Sequence, residues 1–166
     1  VRFHTEHRFH GSPGAVAALL ADPGFYVGLA LPDLSQPEVL EQHADSDDAA
    51  LVLRYEYVGS LDPMARRLLG PKRLAWIQEM HVNSSSGSGS GSGTLRFRAE
   101  ADPKRLHGSA DFILAGDEAG TVRQLDGELV VAVPVIGHQA ERRIVPGILR
   151  RMDIEAQALD EKLRGG

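Results

Sequence analysis

Polar and apolar residues alternate through "VRFHTEHRF", which puts Phe3, Thr5, His7 and Phe9 on one face of a strand and Arg2, His4, Glu6 and Arg8 on the other. The period then changes. In "SPGAVAALLAD", Ser12 offers an N-cap oxygen and Pro13 a preset first turn, so a short helix is predicted, closing at Asp22 and Pro23. A second short helix is predicted over "PGFYVGLAL". Alternation returns in "PEVLEQH", "ALVLRYEYVG", "RLAWIQEMHV", "TLRFRAEA", "RLHGSADFIL" and "TVRQLDGELVVAV". Turn formers such as "ADSDD" and "AGDEAG" separate these runs, and "SLDPMARRLLGP" has room for one helical turn. From Gly137 the apolar period is helical, with Ala140, Ile144, Ile148, Met152, Ala156, Leu159 and Leu163 on one stripe. The pattern therefore predicts an α+β chain: a strand, two short helices, six further strands and a long final helix. Pro146 and Gly147 fall inside that helix, where a proline costs about 3 kcal/mol if the helix is straight. A kink would accommodate it, and so would a junction of two shorter helices begun by Pro146.

Near the midpoint stands "SSSGSGSGSG", Ser84 to Gly93. Neither flank closes a core alone, because the only long helix follows the run and most strands precede it. A single domain over residues 1–166 is expected, with the run as a flexible hairpin loop between strands ending near Val82 and beginning near Leu95. A Gly/Ser segment of this length spans roughly 17 to 19 Å on average, against about 5 Å between paired strands, so it is slack. The added closure entropy is only about 0.8 kcal/mol. So regular a run fits natural low complexity and a replaced loop alike.

The chain's 166 residues, 42% of them hydrophobic, suffice for a sizeable core. There is no cysteine, which excludes disulfides, thiolate metal sites and a cysteine nucleophile. A net charge of −5 argues against binding nucleic acid through a basic face. No stretch of about 18 apolar residues marks a membrane span, and a cytoplasmic location is expected.

The element order resembles the helix-grip fold of the START/Bet v 1-like superfamily, also called SRPBCC. More specific are "EHRF" ending the first strand, "ALLADPGFYVGLALPDLSQPEVL" across the short helices, "RLAWIQE" in the fourth strand and "DGELVVAVPVIGHQAERRI" before the last helix. Together they are similar to an actinobacterial family of unknown function within that superfamily. The resemblance implies a curved seven-stranded antiparallel sheet around the C-terminal helix, with a cavity between them. It implies no activity, since the superfamily includes carriers, cyclases, receptors and chaperone activators.

Strand alternation nominates the residues facing such a cavity. They are His7, Leu53, Tyr55, Tyr57, Trp76, Gln78, Phe97 and Phe112, joined by Ile144 and Ile148 from the helix. Aromatic walls with sparse polar groups suit a small-molecule pocket, although each residue alone also fits an ordinary core. The leading expectation is a non-catalytic binder of a small apolar or amphipathic molecule, without cofactor or metal. An alternative is a cyclase or dehydratase with His7 as general base and Tyr55 or Tyr57 polarising a carbonyl. A third is a protein-interaction module of the chaperone-activator kind.

Other signals carry less. His4 and His10 point opposite to His7 on a strand, so the three do not converge on a metal. The glycines of the Ser/Gly run lack the Gly-Lys-Ser/Thr of a phosphate loop, and "ADSDD" lacks the ligand spacing of a calcium loop. The terminal "LRGG" follows a helix and reads as its C-cap. The pairs Arg142-Arg143 and Arg150-Arg151 would flank a carboxylate-bearing ligand if one of each turned to the sheet; a solvated face paired with Glu141 and Glu155 is expected instead.

Overall fold

The computed structural model describes residues 1–45, 47–84 and 89–165. In chain order it contains β1 (Arg2–Phe9), α1 (Pro13–Leu20), α2 (Pro23–Val27), β2 (Glu38–Ala44), β3 (Asp48–Glu56) and α3 (Pro63–Leu69). There follow β4 (Ala75–Ser84), β5 (Ser90–Ala99), β6 (Leu106–Asp117), β7 (Gly120–Val131) and α4 (Gly137–Gly165). All strands join one seven-stranded sheet in the order β1-β7-β6-β5-β4-β3-β2. Every neighbouring pair is antiparallel.

Local chemistry explains the helix starts. Ser12 Oγ accepts from the Ala15 amide at 3.2 Å, Asp22 Oδ1 from Gly24 at 2.9 Å and Asp62 Oδ1 from Met64 at 2.8 Å, and a proline follows each cap. The expected single turn after Asp62 is thus a seven-residue helix. α4 is one continuous helix with Pro146 inside it, not two helices meeting there. The second helix ends at Val27, earlier than the sequence pattern predicts.

Two strands depart from expectation. All of β2 is exposed, and its register against β3 shifts between Val39 and Glu41. It is an edge strand with no buried residue to enforce the alternation. β5 begins at Ser90 rather than near Leu95: Ser92 and Gly93 pair with Asn83 and Val82 on one side, and with Ile113 and Phe112 on the other. Two flanking strands impose extended backbone on residues with little strand preference. The flexibility expected of residues 85–88 lies outside the described residues, as does Ser46 of the "ADSDD" turn.

Three cross-strand pairs set a phenylalanine against a glycine: Phe3 with Gly127, Phe97 with Gly108 and Phe112 with Gly93. A Cβ on Gly108 would lie 2.1 Å from the Phe97 ring, one on Gly127 2.4 Å from Phe3 and one on Gly93 2.2 Å from Phe112. The rings lie across backbone that only glycine leaves open. The core gathers on the inner face, with Phe9, Leu51, Leu53, Leu114, Leu125 and Leu129 meeting Val16, Leu20, Phe25 and Tyr26 from α1 and α2, and Met152, Ala156 and Leu159 from α4.

Candidate functional site

The inner face is covered unevenly. Beneath the first half of α4 lies a cavity of about 490 Å³. Its walls come from Tyr57 just beyond β3, Leu74 and Trp76 at the start of β4, Phe97 and Ala99 on β5, Leu129 and Val131 on β7, and Ile144 and Ile148 on α4. Met64, Ala65, Leu68 and Leu69 of α3 close one side. α3 has no buried residue, and Arg143 of α4 donates to its N-cap Asp62 at 3.3 and 3.4 Å.

Of the residues nominated by alternation, Tyr57, Trp76, Phe97, Ile144 and Ile148 line this cavity. His7, Leu53, Tyr55, Gln78 and Phe112 are not among its walls. Leu53 and Phe112 are packed core. The other three belong to a buried polar cluster at the cavity's inner end. Alternation assigns a residue to a face of the sheet, and this face is hollow along only part of its length.

In that cluster the Tyr55 and Trp76 rings stack at 5.6 Å, and the Arg151 guanidinium lies over both, 5.1 Å from Tyr55 and 5.7 Å from Trp76. Arg151 Nη2 donates to Gln78 Oε1. The expected Arg151–Glu155 pair forms at 3.5 Å, but it is buried rather than on a solvated face, with side chains 18% and 15% exposed. Arg123 of β7 lies over Phe9 and is itself buried. Burial pushes its pKa down, with Glu155 the largest opposing influence. Four buried atoms of the cluster lack a hydrogen bond: Tyr55 Oη, Arg123 Nε, Arg151 Nε and Glu155 Oε1. Burial, reinforced by Glu155, raises the Tyr55 hydroxyl far above its ordinary value, so it remains a neutral donor.

The environment of His7 fixes its protonation. Arg123 Nη2 can only donate, so the 2.9 Å contact makes His7 Nδ1 the acceptor. Nε2 then carries the proton and donates to Asp153 Oδ1 at 2.8 Å. Both nitrogens are occupied, and a second ring proton would face a guanidinium. Burial is the main cause lowering the His7 pKa; the Asp153 hydrogen bond opposes it and the Arg123 charge adds to it. This geometry leaves His7 no free lone pair for the role of general base.

Sequence reasoning missed the contribution of α3, although Asp62-Pro63 followed by "MARRLL" carries a cap and an apolar side that would have found it. It weighs an inward arginine from the Arg150-Arg151 pair but predicts a solvated face, because spacing along α4 alone does not reveal the inward turn of Arg151.

A curved antiparallel sheet gripping a long C-terminal helix over a hollow is the Bet v 1-like helix-grip fold. The chain is similar over 99% of its length to 98% of TTHA0849 from Thermus thermophilus, with TM-score 0.61 and 14% identity. Ara h 8.0201 matches all of it, over 99% of that chain, with TM-score 0.59 and 12% identity. The di-domain ARO/CYC StfQ from the steffimycin biosynthetic pathway also matches all of it, over 52% of that chain, with TM-score 0.59 and 12% identity. No curated protein matches by sequence. The chain belongs to the family described as a protein of unknown function, DUF2505, whose model matches residues 4–163. Among the described residues, no helix is long and apolar enough to cross a membrane.

Proposed function

We propose that this protein binds a small apolar or amphipathic molecule between its sheet and the first half of α4. The observation that carries the reading is the cavity of about 490 Å³ walled by Trp76, Phe97, Ile144 and Ile148. Its volume falls within the roughly 300–1,000 Å³ of small-molecule sites, and its apolar walls offer area for affinity. A hollow of this size argues against a pure protein-interaction module, for which a filled interior would serve as well.

Catalysis of the cyclase type draws on the likeness to StfQ, whose name describes an ARO/CYC. That reading needs a base at the cavity, and His7 is both outside its walls and committed to Arg123 and Asp153. Binding needs no such base and is the function proposed.

Trp76 is the chain's one tryptophan, so its fluorescence reports directly on the cavity wall. Titration with fatty acids, fatty alcohols, aromatic polyketides and isoprenoids should shift or quench it saturably for at least one class. A panel that leaves Trp76 unchanged, together with a ligand-free native mass spectrum of the purified protein, would defeat the reading.

A further inference from the structure

We propose that the ligand carries an acidic head group, a carboxylate in the simplest case, and that Arg151 receives it at the inner end of the cavity. This rests on the binding reading above and adds the ligand's charge and orientation. The chain as a whole is negative, with net charge −5, yet the cavity wall is not. Lys72, Arg105, Arg143, Arg150 and Arg151 line it, against Asp33, Asp62 and Asp102. Two of those acids are already paired, Asp62 with Arg143 and Asp102 with Arg105.

Charge is also out of balance behind the wall. Inside, Arg123 and Arg151 face one carboxylate, Glu155, while Asp153 beside Arg123 and His7 is largely exposed to solvent; His7 is neutral and both Tyr26 and Tyr55 keep their protons. An excess positive charge in a low-dielectric interior favours an anion that reaches it. Of the two guanidiniums, only Arg151 lines the cavity. Its plane is fixed by the Tyr55 and Trp76 rings, by Gln78 and by Glu155, so its remaining N–H donors are oriented before any ligand arrives. Its Nε faces Glu155 Oε1 at 3.5 Å, so a ligand in the cavity would meet the outer nitrogens of the guanidinium. A carboxylate at this position would accept from the Arg151 guanidinium, while its tail runs along Ile148, Ile144 and Phe97 toward α3.

The test compares three probes of equal chain length, dodecanoate, dodecanol and dodecylamine, by Trp76 fluorescence and isothermal titration. Dodecanoate should bind at least about tenfold tighter than dodecanol, in line with a charge-assisted hydrogen bond in a dry site, and dodecylamine should bind weakest. Arg151→Met keeps the apolar stem over the rings and should reduce the acid-to-alcohol ratio to near one, with dodecanol affinity held within about twofold. Arg151→Lys should keep part of the preference. Equal binding of acid and alcohol to the native chain would overturn the head-group assignment alone. So would an acid preference that survives Arg151→Met and disappears in Arg143→Met, which would place the head at the mouth. Failure of all three probes would overturn this inference, and the binding reading would fall with it if the aromatic polyketides and isoprenoids also leave Trp76 unchanged.

Discussion

The two halves of α4 share one helical period and one apolar stripe, yet they meet different surroundings. From Met152 onward the stripe is buried, with Met152, Ala156 and Leu159 set into the core. From residue 142 to residue 151 no residue is fully buried, and Ile144 and Ile148 stand half-exposed over the cavity. The second half has α1 beside it, packed on β4 to β7 and on α4 itself. The first half has only α3, a short helix with no buried residue. The lesson is that an apolar stripe shows which side of a helix faces inward, and not whether anything fills the space it faces.

The largest expected contrast lies in core truncations. Leu159→Ala should cost about 2–5 kcal/mol of unfolding free energy in urea, since Leu159 is 1% exposed in close-packed surroundings. Ile148→Ala should cost about 1 kcal/mol or less and instead weaken ligand binding. Equal costs would mean that the two halves are packed alike. Pro146→Ala restores a backbone donor within the open half and should raise stability, by as much as about 3 kcal/mol if the helix is free to straighten. Loss of stability in thermal unfolding would show that the proline fits its setting better than a regular turn does.

The glycines under phenylalanine rings sharpen the comparison. In Gly127→Ala the new methyl meets Phe3, which is held in the core, and also lies 2.9 Å from Ser109 O; a loss of about 1–3 kcal/mol is expected. In Gly108→Ala the displaced ring is Phe97, which has the cavity to swing into. Its stability cost should therefore be the smaller of the two, and its loss of ligand affinity in the fluorescence titration the larger.

The smallest effect belongs to pH. The folded state holds His7 below its ordinary 6.5, so as pH falls below 6.5 the unfolded chain takes up a proton that the folded chain resists. Stability should decline from that pH down to the lower folded value. His7→Gln should flatten this part of the profile in urea melts from pH 7 to pH 5; an unchanged slope would mean that the ring is not held neutral.

Much of this fold was legible in the pattern of residues. Alternation located the strands, and the helical stripe from Ala140 to Leu163 located α4, because both patterns record burial on one side. β2 shows the limit: its alternation has no counterpart in burial, since every residue of this edge strand is exposed and its register slips at Leu40. Ser90 to Gly93 show the converse, a strand without strand-forming side chains, held by backbone pairing to β4 and β6. At the site, the facing of Trp76 and Phe97 was readable, and the length of the hollow was not. Whether a side chain lines space or core depends on what α1, α2 and α3 bring to the opposite wall. Arg151 was hidden for a related reason: a long side chain beside Glu155 on a helix looks solvated until two rings are found beneath its guanidinium.

The Gly/Ser-bearing hairpin stands at the opposite end of β4 from Trp76. Ser84 is separated from that residue by most of the strand, on the order of 26 Å at ordinary strand rise. Among the described residues of that hairpin, only Gly93, beneath Phe112, answers to a neighbouring side chain in a way that forbids replacement. Ser84, where β4 ends, is thus a natural attachment point for a fluorophore, a surface linker or a fused reporter, well away from the cavity and its closing helix. A sensor built on this chain would carry its handle at one end and its chemistry at the other.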